Sequence, residues 1–138
     1  MKILVAVDGS KPSLKAVQLL IDHSDWYRSK PEVELVAVHL PVPKVGPVPK
    51  AQVDKYYSEE GNAMLAPARK KLDAAGITYR PHVLVGQVAE AIVKHANDKR
   101  CDVIYIGTRG MSELGKALVG STATKVLHIS DIPVLLVK

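Results

Sequence analysis

The chain reads as an α/β protein, one domain over residues 1–138 built on an open parallel five-stranded sheet with helices on both faces. Three observations predict this class. Short apolar runs alternate with segments of helical periodicity along the whole length. The apolar runs are continuous, as in strands covered on both faces. Glycines gather where the fourth strand ends and where the last helix begins, as Gly107, Gly110 and Gly120.

Each element has its own signature. Lys2-Ile-Leu-Val-Ala-Val7 is a first strand that stops at the turn residues Asp8-Gly9-Ser10. Residues 12–23 carry helical spacing through Leu14, Val17, Leu20 and Ile21, with Ser10 or Ser13 as N-cap. Val33 to His39 is a second strand. Residues 41–49 hold four prolines, which forbid regular structure. A long helix over about 51–75 follows, with an irregularity expected at Gly61 and Pro67 and a stop at Gly76. Thr78 to Val85 is a third strand, broken in character by Pro81. Gln87 to Asn97 is a helix with Val88, Ala91, Ile92 and His95 on one face. Asp102 to Ile106 is the fourth strand, Ser121 to Ile129 a helix, and Pro133 to Val137 the fifth strand.

Composition narrows the function classes. Hydrophobic residues make up 47% and charged residues 24%, ordinary values for a globular protein. No apolar run approaches the ~20 residues of a membrane span. The chain enters a strand directly, leaving no room for a signal peptide, and Cys101 is the single cysteine, so no internal disulfide forms. The expected location is the cytoplasm. The net charge is +5, yet the basic residues are scattered, with no run longer than Arg69-Lys70-Lys71. Phe is absent and aromatics total 4%, which leaves little to stack on bases and argues against nucleic acid as a partner. The histidines His23, His39, His82, His95 and His128 show no metal-ligand spacing, so no metal site is expected. Cys101 has no evident activating partner, and no catalytic set stands out.

In an open parallel sheet, ligands sit beyond the carboxyl ends of the strands where strand order reverses. The loops in question start at Asp8, Leu40 and Gly107. The segment Gly107-x2-Gly110-x9-Gly120-Ser121 leaves a buried strand and enters a helix. Glycine lets the backbone approach a phosphate, and a helix start offers unpaired N–H groups and partial positive charge. Ser121 and Thr122 add hydroxyl donors. Arg109 is either a fork for phosphate oxygens or an exposed surface residue. Asp8 either caps the following helix, or accepts hydrogen bonds from a nucleotide or holds a metal beside phosphates; the roles are compatible. Gly110-x4-Gly115-Lys116-Ala117 imitates a P-loop, but Ala117 stands where a hydroxyl must hold Mg²⁺.

Asp8 after an apolar first strand, Val38-His39-Leu40 ending the second, and the Gly107/Gly110/Gly120-Ser121 pattern together resemble the universal stress protein family, in its ATP-binding branch. The order of elements agrees over essentially the whole chain, including the closing Ile132-Pro-Val-Leu-Leu-Val137. The resemblance implies a Rossmann-like sheet of the adenine nucleotide alpha hydrolase type, in strand order 3-2-1-4-5. It implies ATP, with Mg²⁺ as an accompanying ion. On that reading Ala6, Val7 and Asp8 line the adenosine end, Leu40 packs on adenine, and Ile106 and Gly107 approach the sugar and ring. Gly110, Gly120, Ser121 and Thr122 hold phosphates, and Arg109 matches a variable position. The resemblance also implies a homodimer through the last strand, 133–137, and a nucleotide-responsive role in a stress response. The alternatives are slow ATP hydrolysis, for which no general base presents itself, and a protein-interaction module indifferent to nucleotide.

Overall fold

The computed structural model describes residues 1–43, 46–109 and 119–138. The strands are β1 (Lys2–Ala6), β2 (Glu32–His39), β3 (Tyr79–Val85), β4 (Val103–Gly107) and β5 (Val134–Val137). The helices are α1 (Leu14–Asp22), α2 (Lys50–Ala74), α3 (Val88–Asp98) and α4 (Ser121–Ile129). All strand pairs are parallel, and the order is β3-β2-β1-β4-β5. Among the described residues no helix is long and apolar enough to cross a membrane.

Period-2 alternation sorts the strand side chains onto two cores. Ile3, Val5, Val33 and Leu35 pack with Val17 and Leu20 of α1 and Leu65 and Leu72 of α2. Leu4, Ala6, Val36 and Val38 pack with Ile92 of α3 and Val126 of α4. β1 lies at the centre of the sheet, and its Ile3, Leu4 and Val5 are fully buried.

Several local expectations need adjustment. α1 begins at Leu14 rather than residue 12, because Lys11 to Ser13 form a tight turn in which Leu14 N–H donates to Lys11 O at 3.2 Å. Ser13 precedes the helix, but its hydroxyl does not cap it; it donates to Ser10 O at 2.9 Å. β3 is unbroken at Pro81, since β3 is a sheet edge and Pro81 has a ladder partner only in Leu35, on the β2 side. α2 likewise runs through Gly61 and Pro67. It closes at Gly76 with Ile77 N–H on Leu72 O and Gly76 N–H on Asp73 O, the paired bonds of a Schellman motif. A single 3₁₀ turn at Ser24–Trp26 had no sequence signal.

Glu34 is the exception in the core, only 1% exposed on the α3 face of β2. Burying one leucine stabilises by about 1.5–3 kcal/mol. An unpaired buried carboxylate would cancel at least that much, so Glu34 must be paired. Its Oε1 lies 3.3 Å from Arg80 Nη1, and its Oε2 meets His82 Nε2. Burial pushes the Glu34 carboxyl up, but the His82 and Arg80 contacts outweigh it and hold the group below its ordinary range.

Gly61 shows how closely α2 lies on β3. A Cβ there would fall 2.1 Å from Val83 Cγ1 and 2.9 Å from its Cβ. Valine is stiff at χ1 and cannot swing away. Gly61→Ala is therefore expected to destabilise by about 1–3 kcal/mol, the usual range for overpacking. Val83→Ala should restore part of that loss in the double variant. Urea unfolding of the four proteins measures the coupling, and additive effects would refute the contact.

Candidate functional site

The strand order reverses at β1, whose neighbours are β2 and β4. In the β1–β4 ladder Ala6 stands opposite Ile106, so the chain leaves both strands at the same height. Ala6, Val7 and Ile106 are buried. Asp8 is half-buried at the mouth of this junction. Its carboxylate Oδ1 accepts from Ser10 N at 2.9 Å and from the Ser10 hydroxyl, while Asp8 N–H donates to Ser13 Oγ at 3.3 Å. The turn-capping role of Asp8 is thus formed by Ser10 and Ser13. Gly9 adopts φ +84°, a conformation that suits glycine, and a Cβ there would lie 3.2 Å from Met64 Cα of α2.

The two loops touch at Gly107. A Cβ on it would lie 3.0 Å from Pro12 O and 3.4 Å from Ser13 Cα. A side chain at this position would press on the turn before α1, which would have to give by a few tenths of an ångström. Thr108 is buried, its N–H donates to Val137 O at 2.9 Å, and its own carbonyl accepts from Gly120 N–H. That last bond brings the start of α4 back to the end of β4. Gly120 is the N-cap residue with φ −60° and ψ 157° and offers no side-chain cap. The first N–H groups of α4 have no intrahelical acceptor, and they rise beside the Asp8–Gly107 junction with exposed Ser121 and half-buried Thr122. Arg109 is exposed. Gly110, with the P-loop imitation at Gly115-Lys116-Ala117, lies outside the described residues.

Leu40 follows β2 and is 53% exposed. Sequence reading missed what stands next to it. The His39 ring lies against Tyr56 and Tyr57 of α2, with centroids 5.5 and 5.4 Å apart, and its Nδ1 donates to Leu40 O at 2.6 Å. The Tyr57 hydroxyl accepts from Val42 N–H at 2.9 Å. The start of the proline-rich loop is therefore tied to α2. Two adjacent tyrosines in a chain so poor in aromatics were the available signal. A groove along Arg69, Asp73, Ile77, Tyr79 and Pro81 lies at the other end of α2, at the start of β3.

Cys101 is buried just before β4, and burial, reinforced by the Glu34 charge, pushes its thiol up to about 11. It is protonated and shielded at neutral pH, the opposite of an activated nucleophile.

Comparison with known proteins agrees with this fold. The sequence profile of the Universal stress protein family matches residues 1–138. The chain is 30% identical over 145 residues to universal stress protein YxiE of Bacillus subtilis, covering 99% of this chain and 98% of that one. Its fold is similar to the solved structure of Methanocaldococcus jannaschii MJ0577, with TM-score 0.80, 26% identity, and 99% and 94% of the two chains covered. It is also similar to a universal stress protein solved in complex with cAMP, with TM-score 0.72, 26% identity, and 100% and 97% coverage.

The Gly107 contact generates one expectation. Gly107→Ala presses on backbone atoms of Pro12 and Ser13, so it should cost about 1–3 kcal/mol in urea unfolding and shift the amide resonances of residues 10–13. Unchanged resonances there would disprove the contact. Iodoacetamide at pH 8 should label Cys101 at least about 100-fold more slowly in the native chain than after denaturation, because burial and the raised pKa act together. Rapid native labelling, read by mass spectrometry, would contradict this burial.

Proposed function

Because the chain belongs to the universal stress protein family, we propose that it is a cytoplasmic ATP-binding regulator that works as a nucleotide-responsive homodimer in a stress response. The observation that carries the reading is the junction of β1 and β4. There the Asp8 and Gly107 loops touch through Pro12 and Ser13, and the Thr108–Gly120 bond holds the N-terminus of α4 beside them. Backbone donors at a helix start, next to apolar strand ends and one carboxylate, suit an anion joined to a nucleoside. The similarity to a protein solved with cAMP supports an adenine nucleotide as the class of ligand.

On this reading the adenosine lies along Ala6, Val7, Asp8, Leu40, Ile106 and Gly107. The Asp8 carboxylate accepts from ribose or adenine. The phosphates meet Gly110, Gly120, Ser121 and Thr122, with Arg109 at the rim and Mg²⁺ as an optional counter-ion. No residue is assigned a catalytic role, and the output is a change of partner surface, with the proline-rich loop held by Tyr57 as the segment best placed to respond. The dimer forms through β5. Supporting this, β5 is a sheet edge of Val134 to Val137, and Val119, Leu127 and Ile129 are exposed apolar side chains around α4. An unpaired apolar edge of this kind invites pairing.

Titration calorimetry with ATP, AMP and cAMP tests the ligand. The wild type should bind ATP, and Gly120→Val should weaken it at least about tenfold, by filling the approach to the α4 N–H groups. The backbone angles of Gly120 are open to valine, so the variant should fold. Asp8→Ala should cost about tenfold, the value of one charge-assisted hydrogen bond. No binding of any of the three nucleotides by the wild type would remove the reading. Sedimentation should give twice the 14.9 kDa chain mass, and Leu127→Glu should shift it toward one chain; a monomeric wild type would remove the dimer.

A further inference from the structure

The described residues hold a second chemical cluster, on the α3 face of the sheet and toward the amino ends of the strands. Glu34 of β2, His82 of β3 and His95 of α3 each point one ligand atom into the same space, and these atoms all lie within 4.8 Å of one another. Glu34 is 1% exposed. His82 Nε2 contacts Glu34 Oε2, and His95 Nε2 lies 3.9 Å from the same oxygen. The two imidazoles are tilted against each other with centroids 4.4 Å apart. His95 Nε2 is buried without a hydrogen-bond partner among the described residues. Such an orphan needs a reason, because whether it carries a proton or a lone pair it has lost its water and gained nothing.

We propose that Glu34, His82 and His95 form a binding site for one first-row divalent transition-metal ion of the zinc type. One carboxylate oxygen and two imidazole nitrogens are a ligand set that such ions favour, whereas magnesium and calcium take oxygen. Three protein ligands leave a fourth tetrahedral position for water or an outside donor. Bonds near 2.1 Å put tetrahedral ligand atoms about 3.4 Å apart. The present spacing therefore needs only small rotamer changes: His95 closes in on Glu34, and the His82–Glu34 hydrogen bond opens to admit the ion. The lone pair of His95 then has an acceptor.

An entry path exists. His82 is partly exposed and Arg80, two residues before it on the edge strand, is largely exposed. Arg80 bridges Glu34 at 3.3 Å and Glu32 at 3.4 Å, so it can release the buried carboxylate to the ion and remain paired with Glu32. The bound ion ties the edge strand β3 and helix α3 to β2. This site is separate from the β1–β4 junction and does not depend on its reading.

The test uses the full chain, cleared of metal by chelator and titrated with Zn²⁺ alone. Calorimetry should give one ion per chain. In ¹H–¹⁵N spectra the imidazole signals of His82 and His95 should move together and saturate at one equivalent, while His23, His39 and His128 stay put. Millimolar Mg²⁺ should move none of them. His95→Leu should weaken Zn²⁺ at least about tenfold and melt no lower than the wild type without metal, since it removes an unpartnered buried nitrogen. The proposal is overturned if the wild type shows no saturable site, if the shifts fall on the other histidines, or if His95→Leu keeps its affinity.

Discussion

The structure depends on the reversal of strand order at β1. With right-handed crossovers, the connections of β1 and β2 carry α1 and α2 to one face, and those of β3 and β4 carry α3 and α4 to the other. The chain leaving β1 and the chain leaving β4 must therefore diverge to opposite sides. Divergence opens a crevice between these two neighbouring strands, whose last ladder pair is Ala6 with Ile106. Everything in the candidate site hangs on that gap. Asp8 and Gly107 are its two lips, and α4 starts at its rim.

A crevice formed by two loops is useful only if the loops are held. Bulky side chains do little of this holding. Gly107 lies on Pro12 and Ser13 through lack of a Cβ, Ser10 and Ser13 satisfy the turn through hydroxyls, and Thr108 binds Gly120 through backbone atoms. Short polar residues and glycines thus bring backbone groups close to one another. The same absence of bulk leaves N–H donors within reach of a ligand. Packing economy and binding capacity arise here from one set of residues.

The legible parts of the fold were those governed by local periodicity. α4 spans Ser121 to Ile129 as its pattern dictates, and β2 and β4 differ from the apolar runs by a residue or so. Asp8, Ile106, Gly107 and Gly120 could be picked out because strand ends and helix starts are marked by turn residues. Pro81 misled because edge position is a property of topology, which no local window contains. Ser13 misled because it stands where a cap stands but is used by Ser10. The Glu34, His82 and His95 cluster was invisible for a stronger reason. Glu34 and His82 are 48 residues apart, and only the β2–β3 register brings them together. A lone glutamate inside Val33 to Val38 was the one anomaly to notice, because a buried strand does not carry a charge without a partner.

Strand β2 shows how little the chain needs to build two different environments. Its even positions, Glu34, Val36 and Val38, face α3, and its odd positions, Val33, Leu35, Ala37 and His39, face α2. Parity alone sends Glu34 to His95 and sends His39 to Tyr56 and Tyr57. A slip of one residue in the β1–β2 ladder, which now pairs Val5 with Leu35, would exchange the two faces. It would place a carboxylate against Leu65 and Leu72 and strip His95 of its charged neighbour. The cost of burying Glu34 on the wrong face therefore acts as a constraint on register. The same register fixes the height at which β2 ends and Leu40 emerges beside the β1–β4 crevice. The buried glutamate, remote from the loops, thereby helps to determine where the candidate site lies.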